Sequence, residues 1–155
     1  HMTSYRITLM TEALLPETEA IDKALFPQDF WTEKSFLSSM KEHHAYCIVS
    51  KNGAKESVAG YIVFSSVFDE GELLHIGVSK EFQKKGLAGR MLSFMNEFGD
   101  ANKIKKWFLE VRRSNDPAVA LYKKFGFKTV GTRKNYYKTS TGREDALIMV
   151  KETAC

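Results

Sequence analysis

The stretch "LLHIGVSKEFQKKGLAGRML" (residues 73–92) changes its period partway through. Up to Ser79 it reads as the last of three strands. From Gly86 the apolar residues fall at Leu87, Ala88, Met91, Leu92, Met95 and Phe98, which is one face of a helix. Between the two lie Lys84 and Lys85, then Gly86, Ala88 and Gly89, which have little or no side chain. A helix N-terminus offers unpaired N–H groups and the positive end of the dipole. Bare backbone lets an anion come close, and the lysines add full charge. The combination suits a pyrophosphate. It equally suits a plain turn at Gly86 with solvated lysines, and charge and glycine alone leave the two even. A Rossmann reading fails, because the run is G-x-A-G and three meander strands precede it instead of a βαβ unit. The Walker pattern is absent too.

Upstream, "AYCIVSKNGAKESVAGYIVFSSVFDEGE" (45–72) holds the other two strands, with turns at "KNGAKE" and "FDEGE", each carrying a glycine. Before them come a strand in "SYRITLM" (4–10), a helix in 11–26 broken or restarted near Pro16, and a loop leading to a second helix with Thr32 as N-cap. Downstream, "IKKWFLEVR" (104–112) predicts a strand whose "WFL" centre is buried on both faces. "DPAVALYKKFGF" (116–127) predicts a short helix capped by Asp116, with Pro117 in its first turn and Gly126 ending it. A closing hairpin turns around "STG" (140–142). The order is β-α-α-β-β-β-α-β-α-β-β, an α/β domain with a central mixed, mostly antiparallel sheet flanked by helices.

The 155 residues suit one core, taken as 3–152, with His1 and Met2 read as a cloning remnant and start and 153–155 as a tail. The opening residues form no secretory h-region, and no stretch nears the ~18 apolar residues of a membrane span, so a soluble, cytoplasmic chain is expected. Cys47 and Cys155 stand alone, His43 and His44 are adjacent, and neither a disulfide nor a metal site is expected. A net charge of +4 mildly favours anionic partners, but the basic residues are scattered and no nucleic-acid motif is present. No heptads occur, so a monomer is expected.

"QKKGLAG" (83–89) resembles the Q/R-x-x-G-x-G/A signature of the GCN5-related N-acetyltransferases. The likeness continues through "FLEVRRSNDPAVALYKKFGF" (108–127) and "RKNYYKTSTGREDALIM" (133–149), which are far more specific than the glycine loop, and extends over about 5–151. Within the family it is similar to the bacterial ribosomal-protein-alanine N-acetyltransferases. The resemblance implies acetyl-CoA, with its pyrophosphate on the backbone of Lys84, Lys85, Gly86, Leu87, Ala88 and Gly89. It also implies a pantetheine arm beside Ile76, Gly77 and Val78, and a contact from Asn115. Gly89 stands where many members carry a larger residue.

Acetyl transfer needs a neutral amine. An α-amino group has a pKa of ~8 and lysine ~10.4, so a neutral lysine costs ~3 kcal/mol more to capture at neutral pH, and a modest base suffices for an N-terminus. Glu110, in the apolar "WFLEV", is the candidate base, since burial brings a carboxyl nearer the working pH. Its residues alone favour an edge-facing glutamate or an ion pair with Arg112 on the same face. The resemblance reverses that preference. Tyr122 shares a helical face with Ala118, Leu121 and Phe125, so pattern alone makes it a core tyrosine. By resemblance it is the general acid for the leaving thiolate. Tyr136 and Tyr137 are open between peptide contacts and solvated strand aromatics. The implied acceptor is the alanine N-terminus of a small-subunit ribosomal protein. Other N-termini, lysines or small amines are kept as alternatives, as is a non-catalytic acyl-CoA-binding module.

Overall fold

The structure, a computed structural model, describes residues 2–153. Cys155 and His1 therefore lie outside the described residues. Seven strands form one sheet in the order β1-β2-β3-β4-β5-β7-β6. In chain order the elements are β1 (Ser4–Leu9), α1 (Leu15–Leu25), α2 (Glu33–Glu42), β2 (His44–Asn52), β3 (Lys55–Val67), β4 (Glu70–Val78), α3 (Leu87–Ala101), β5 (Lys106–Arg112), α4 (Asp116–Lys124), β6 (Lys128–Lys138) and β7 (Arg143–Glu152). The sheet is mixed: β4 and β5 run parallel, while β1–β2, β2–β3, β5–β7 and β6–β7 are antiparallel. No helix of the described residues is long and apolar enough to cross a membrane.

The chain gathers into two compact units, with β4 and α3 contributing to both. The first holds residues up to Ser65 and His75–Met95. Its core is built on β2 and β3, where Ile48, Tyr61, Ile62, Val63 and Phe64 are fully buried and the middle of β3 is covered on both faces. Leu87, Met91, Leu92 and Met95 of α3 are buried as the helical period predicts. Pro16 sits in the first turn of α1, where its missing N–H costs nothing. Thr32 caps α2 through a hydrogen bond from the Ser35 amide. Cys47 is a buried small hydrophobe beside Thr18, and burial pushes its thiol up to about 11.

The second unit holds Ser66–Leu74 and the chain from Asn96 onward. Three expectations change here. The β3–β4 turn is made at Phe68, whose φ is 55°, and Gly71 lies inside β4. Gly71 is needed for room, since a Cβ there would run into the Trp107 indole. The strand β5 alternates instead of being buried on both faces: Trp107, Leu109 and Val111 are buried, while Phe108, Glu110 and Arg112 are half-exposed. The cap of α4 is Asn115, whose side chain accepts from the Ala118 amide at 3.3 Å, and Asp116 is the first helical residue. Asp116 has the right chemistry but sits one position too late.

Gly71→Ala tests the Trp107 packing. Overpacking a core costs about 1–3 kcal/mol, so Tm should fall by roughly 2–12 °C. An unchanged melting curve would mean that the indole moves aside freely.

Candidate active site

In the first unit, a short turn over Lys80–Phe82 leads from β4 into the glycine loop. Lys84 and Gly86 both have positive φ, 64° and 76°. Such reversals point successive amides to one side and make an anion-binding concavity. The Arg90 amide donates to the Gly86 carbonyl, so Gly86 opens α3 and the amides of Leu87, Ala88 and Gly89 precede the first in-helix donor. Lys84, Lys85 and Gly86 are exposed, and a Cβ on Gly86 would meet nothing within 4 Å. This bare, cationic backbone fits a diphosphate. Ile76, Gly77 and Val78 end β4, and the Val78 carbonyl accepts from the Gln83 amide group at 3.0 Å. A Cβ on Gly77 would collide with the Tyr61 hydroxyl, so its smallness already has a packing use.

Tyr61 belongs to a buried polar cluster that the sequence did not announce. Asp22 of α1 is fully buried. Its Oδ1 accepts from the Tyr61 hydroxyl at 2.5 Å and from His75 Nε2 at 2.6 Å, and its Oδ2 accepts from the Trp31 amide at 2.7 Å. The His75 ring stacks on Trp31 at 4.5 Å and meets Phe26, Phe36 and Tyr61. Burial would raise the Asp22 carboxyl, but the His75 hydrogen bond and charge, with Tyr61 and Trp31, outweigh it and hold the group below the usual aspartate range. A lone carboxylate thus ties α1, the segment before α2, β3 and β4 together. Asp22 reaches this cluster from the buried stripe of α1, Leu15, Thr18 and Asp22, at i, i+3 and i+7.

In the second unit, Glu110 and Arg112 are both half-exposed residues of β5, two positions apart. Arg112 donates to Glu144 at 2.8 Å and lies over Tyr137 at 4.6 Å. Arg112 and the Ser114 hydroxyl hold the Glu144 carboxyl below the usual glutamate range. Glu110 faces Arg133, with Arg133 Nε 3.0 Å from Glu110 Oε2. That oxygen is closed to solvent yet accepts no hydrogen bond. Glu110, expected to be buried in its apolar run, is therefore half-buried and accompanied by a cation.

Arg133 reaches Glu110 because of register. Glu110 opposes Ile148, and Ala146 lies between Arg112 and Arg133 on β5 and β6. Alternate residues of β7 share a face, so all these side chains meet there. Beyond Arg133 the register shifts, so that Tyr137 opposes Glu144. Asn135, with φ 52°, makes this bulge, and its amide donates to Asp145 Oδ1 at 3.0 Å. Tyr136 and Tyr137 stand edge to face at 5.0 Å, with Arg133 over Tyr136 at 5.2 Å. Tyr122 of α4 is buried beside Phe127, and burial together with nearby Tyr137 pushes its phenol well above the ordinary tyrosine range.

The first unit thus carries a bare, cationic turn that fits a diphosphate, and the second carries a sheltered carboxylate and a buried phenol. Residues 8–127 match the Acetyltransferase (GNAT) family, and the chain belongs to it as an N-acetyltransferase. Its relatives include the ribosomal protein bS18-alanine N-acetyltransferase of Escherichia coli (strain K12), 36% identical over 119 residues, which cover 77% of this chain and 78% of that one. The crystal structure of the Escherichia coli ribosomal-protein-S18-alanine N-acetyltransferase superposes with a TM-score of 0.84 at 29% identity, covering 98% of this chain and 96% of that one. Arabidopsis thaliana NAA60 in complex with acetyl-CoA shares the fold, with a TM-score of 0.84 at 17% identity and coverage of 97% and 100%.

Proposed function

We propose that this chain acetylates the α-amine of a protein N-terminus, using acetyl-CoA, and that its acceptor is the alanine N-terminus of a small-subunit ribosomal protein. The likeness to the bS18-alanine N-acetyltransferase supports the acceptor. The observation that carries the chemistry is Glu110 Oε2, a sheltered carboxylate oxygen with no hydrogen-bond donor on it. Its lone pair is open to a donor that the acceptor brings.

The nest at Lys84, Lys85, Gly86, Leu87, Ala88 and Gly89 would hold the diphosphate, Ile76–Val78 the pantetheine arm, and Asn115 a further contact. Acetyl-CoA held there supplies a thioester whose acetyl group passes to the amine as CoA leaves. Glu110 takes the proton that the ammonium gives up. Burial raises the Tyr122 phenol, so it is protonated when the acceptor arrives. It acts as general acid, its O–H proton passing to the departing sulfur as the C–S bond breaks.

Incubation with acetyl-CoA and three acceptors tests the reading: an alanine-starting peptide, an N-terminally blocked lysine peptide and a polyamine. Mass spectrometry should find one acetyl group on the α-amine of the first and little on the others. Acetylated polyamine with untouched peptide would overturn it.

A further inference from the structure

We propose that Arg133 keeps the acceptor's place: its guanidinium rests on Glu110 where the ammonium of an incoming N-terminus binds, and the acceptor enters by exchanging one cation for another. The proposal rests on Glu110 being the amine-facing carboxylate.

Two arginines flank Ala146 on one face of the sheet, and they are held very differently. Arg112 is built in. It makes a 2.8 Å hydrogen bond to a glutamate that Ser114 also holds, and both side chains of the pair are 19% exposed. Arg133 is not. Its contact with Glu110 at 3.0 Å lacks hydrogen-bond geometry, so Oε2 remains unsatisfied. The side chain of Arg133 is 55% exposed against 24% for Glu110. The cation can return to water, while the carboxylate cannot follow. When displaced, the guanidinium still has the half-exposed Tyr136 ring to rest on.

The arrangement suits an amine acceptor. A sheltered carboxylate without any cation carries an uncompensated charge. Arg133 supplies that cation while the acceptor is absent. Most of an N-terminus arrives as ammonium at neutral pH, given a pKa of ~8. It brings the same charge in a smaller group, able to donate the hydrogen bond that Arg133 Nε does not. One ammonium N–H bond then breaks, its electron pair stays on nitrogen, and an O–H bond forms on Glu110. The exchange also excludes blocked N-termini, which have no charge with which to displace the arginine.

The test is calorimetry with CoA present, so that no chemistry occurs. One probe is an alanine-starting peptide, and the other is the same peptide lacking its α-amino group. An exposed ion pair is worth little, so Arg133→Ala should tighten the amino peptide by roughly two- to five-fold. The des-amino peptide should bind as it does to the parent protein, and Arg133→Lys should restore the parent value. Equal shifts for both peptides, no shift, or weaker binding of the amino peptide would overturn the exchange. The base assignment is judged separately: retained turnover in Glu110→Gln would remove that role without altering the binding comparison.

Discussion

Glu110→Gln should lower kcat at pH 7 by roughly 10²–10⁴-fold while leaving acetyl-CoA affinity within about twofold, since a positioned general base contributes on that scale. The amide keeps the shape of the side chain but cannot take a proton. The size of the loss should depend on pH. The α-amine titrates near ~8, so above that value the acceptor deprotonates without help. The deficit should therefore shrink as pH rises through roughly 8 to 9, and the parent and variant rates should converge. A lysine acceptor would instead keep the deficit until roughly pH 10. Tyr122→Phe should lower kcat by roughly 10²-fold without this convergence, because the proton for the leaving sulfur is needed at any amine charge. Steady-state rates from pH 6 to 9.5 on one alanine-starting peptide separate the two. Parallel pH profiles for Glu110→Gln and the parent would dispose of the base assignment.

The element order and the placement of α3 were legible because they depend on local period and on residues that break it. Thr32 was legible as a cap for the same reason. At α4 the sequence offers two adjacent residues with capping side chains, Asn115 and Asp116, and only the backbone decides between them. The face of Glu110 followed from strand alternation, but its partner did not. Arg133 lies on another strand, and a bulge at Asn135, held by Asp145, alters the count between them. No local rule contains that shift. The same bulge gives "RKNYY" and "RED" a structural content. Asn135 takes the left-handed turn, Asp145 receives its amide, and Glu144 and Tyr137 both engage Arg112. Asp22 was not legible as a buried residue, because its partners Tyr61 and His75 are 39 and 53 residues away.

Asp22→Ala should be the most destabilising single change in the first unit. It strands the Tyr61 hydroxyl, His75 Nε2 and the Trp31 amide in a closed interior. Breaking a buried charged pair from one side costs about 3–5 kcal/mol, or a fall in Tm of roughly 6–20 °C for a chain of this length. Asp22→Asn keeps the shape and two lone pairs but loses the charge, so it should fall between the parent and the alanine variant. The pH dependence gives a sharper test than the magnitude. The folded carboxyl lies below its unfolded value, so its contribution is complete above roughly pH 4 and is lost as pH falls through the depressed folded value. Urea melts should show a constant gap between parent and Asp22→Ala from pH 7 down to about 5, then a narrowing gap below about 4. A gap that stays constant to pH 3 would mean that shape at position 22, and not its negative charge, ties α1 to β3 and β4.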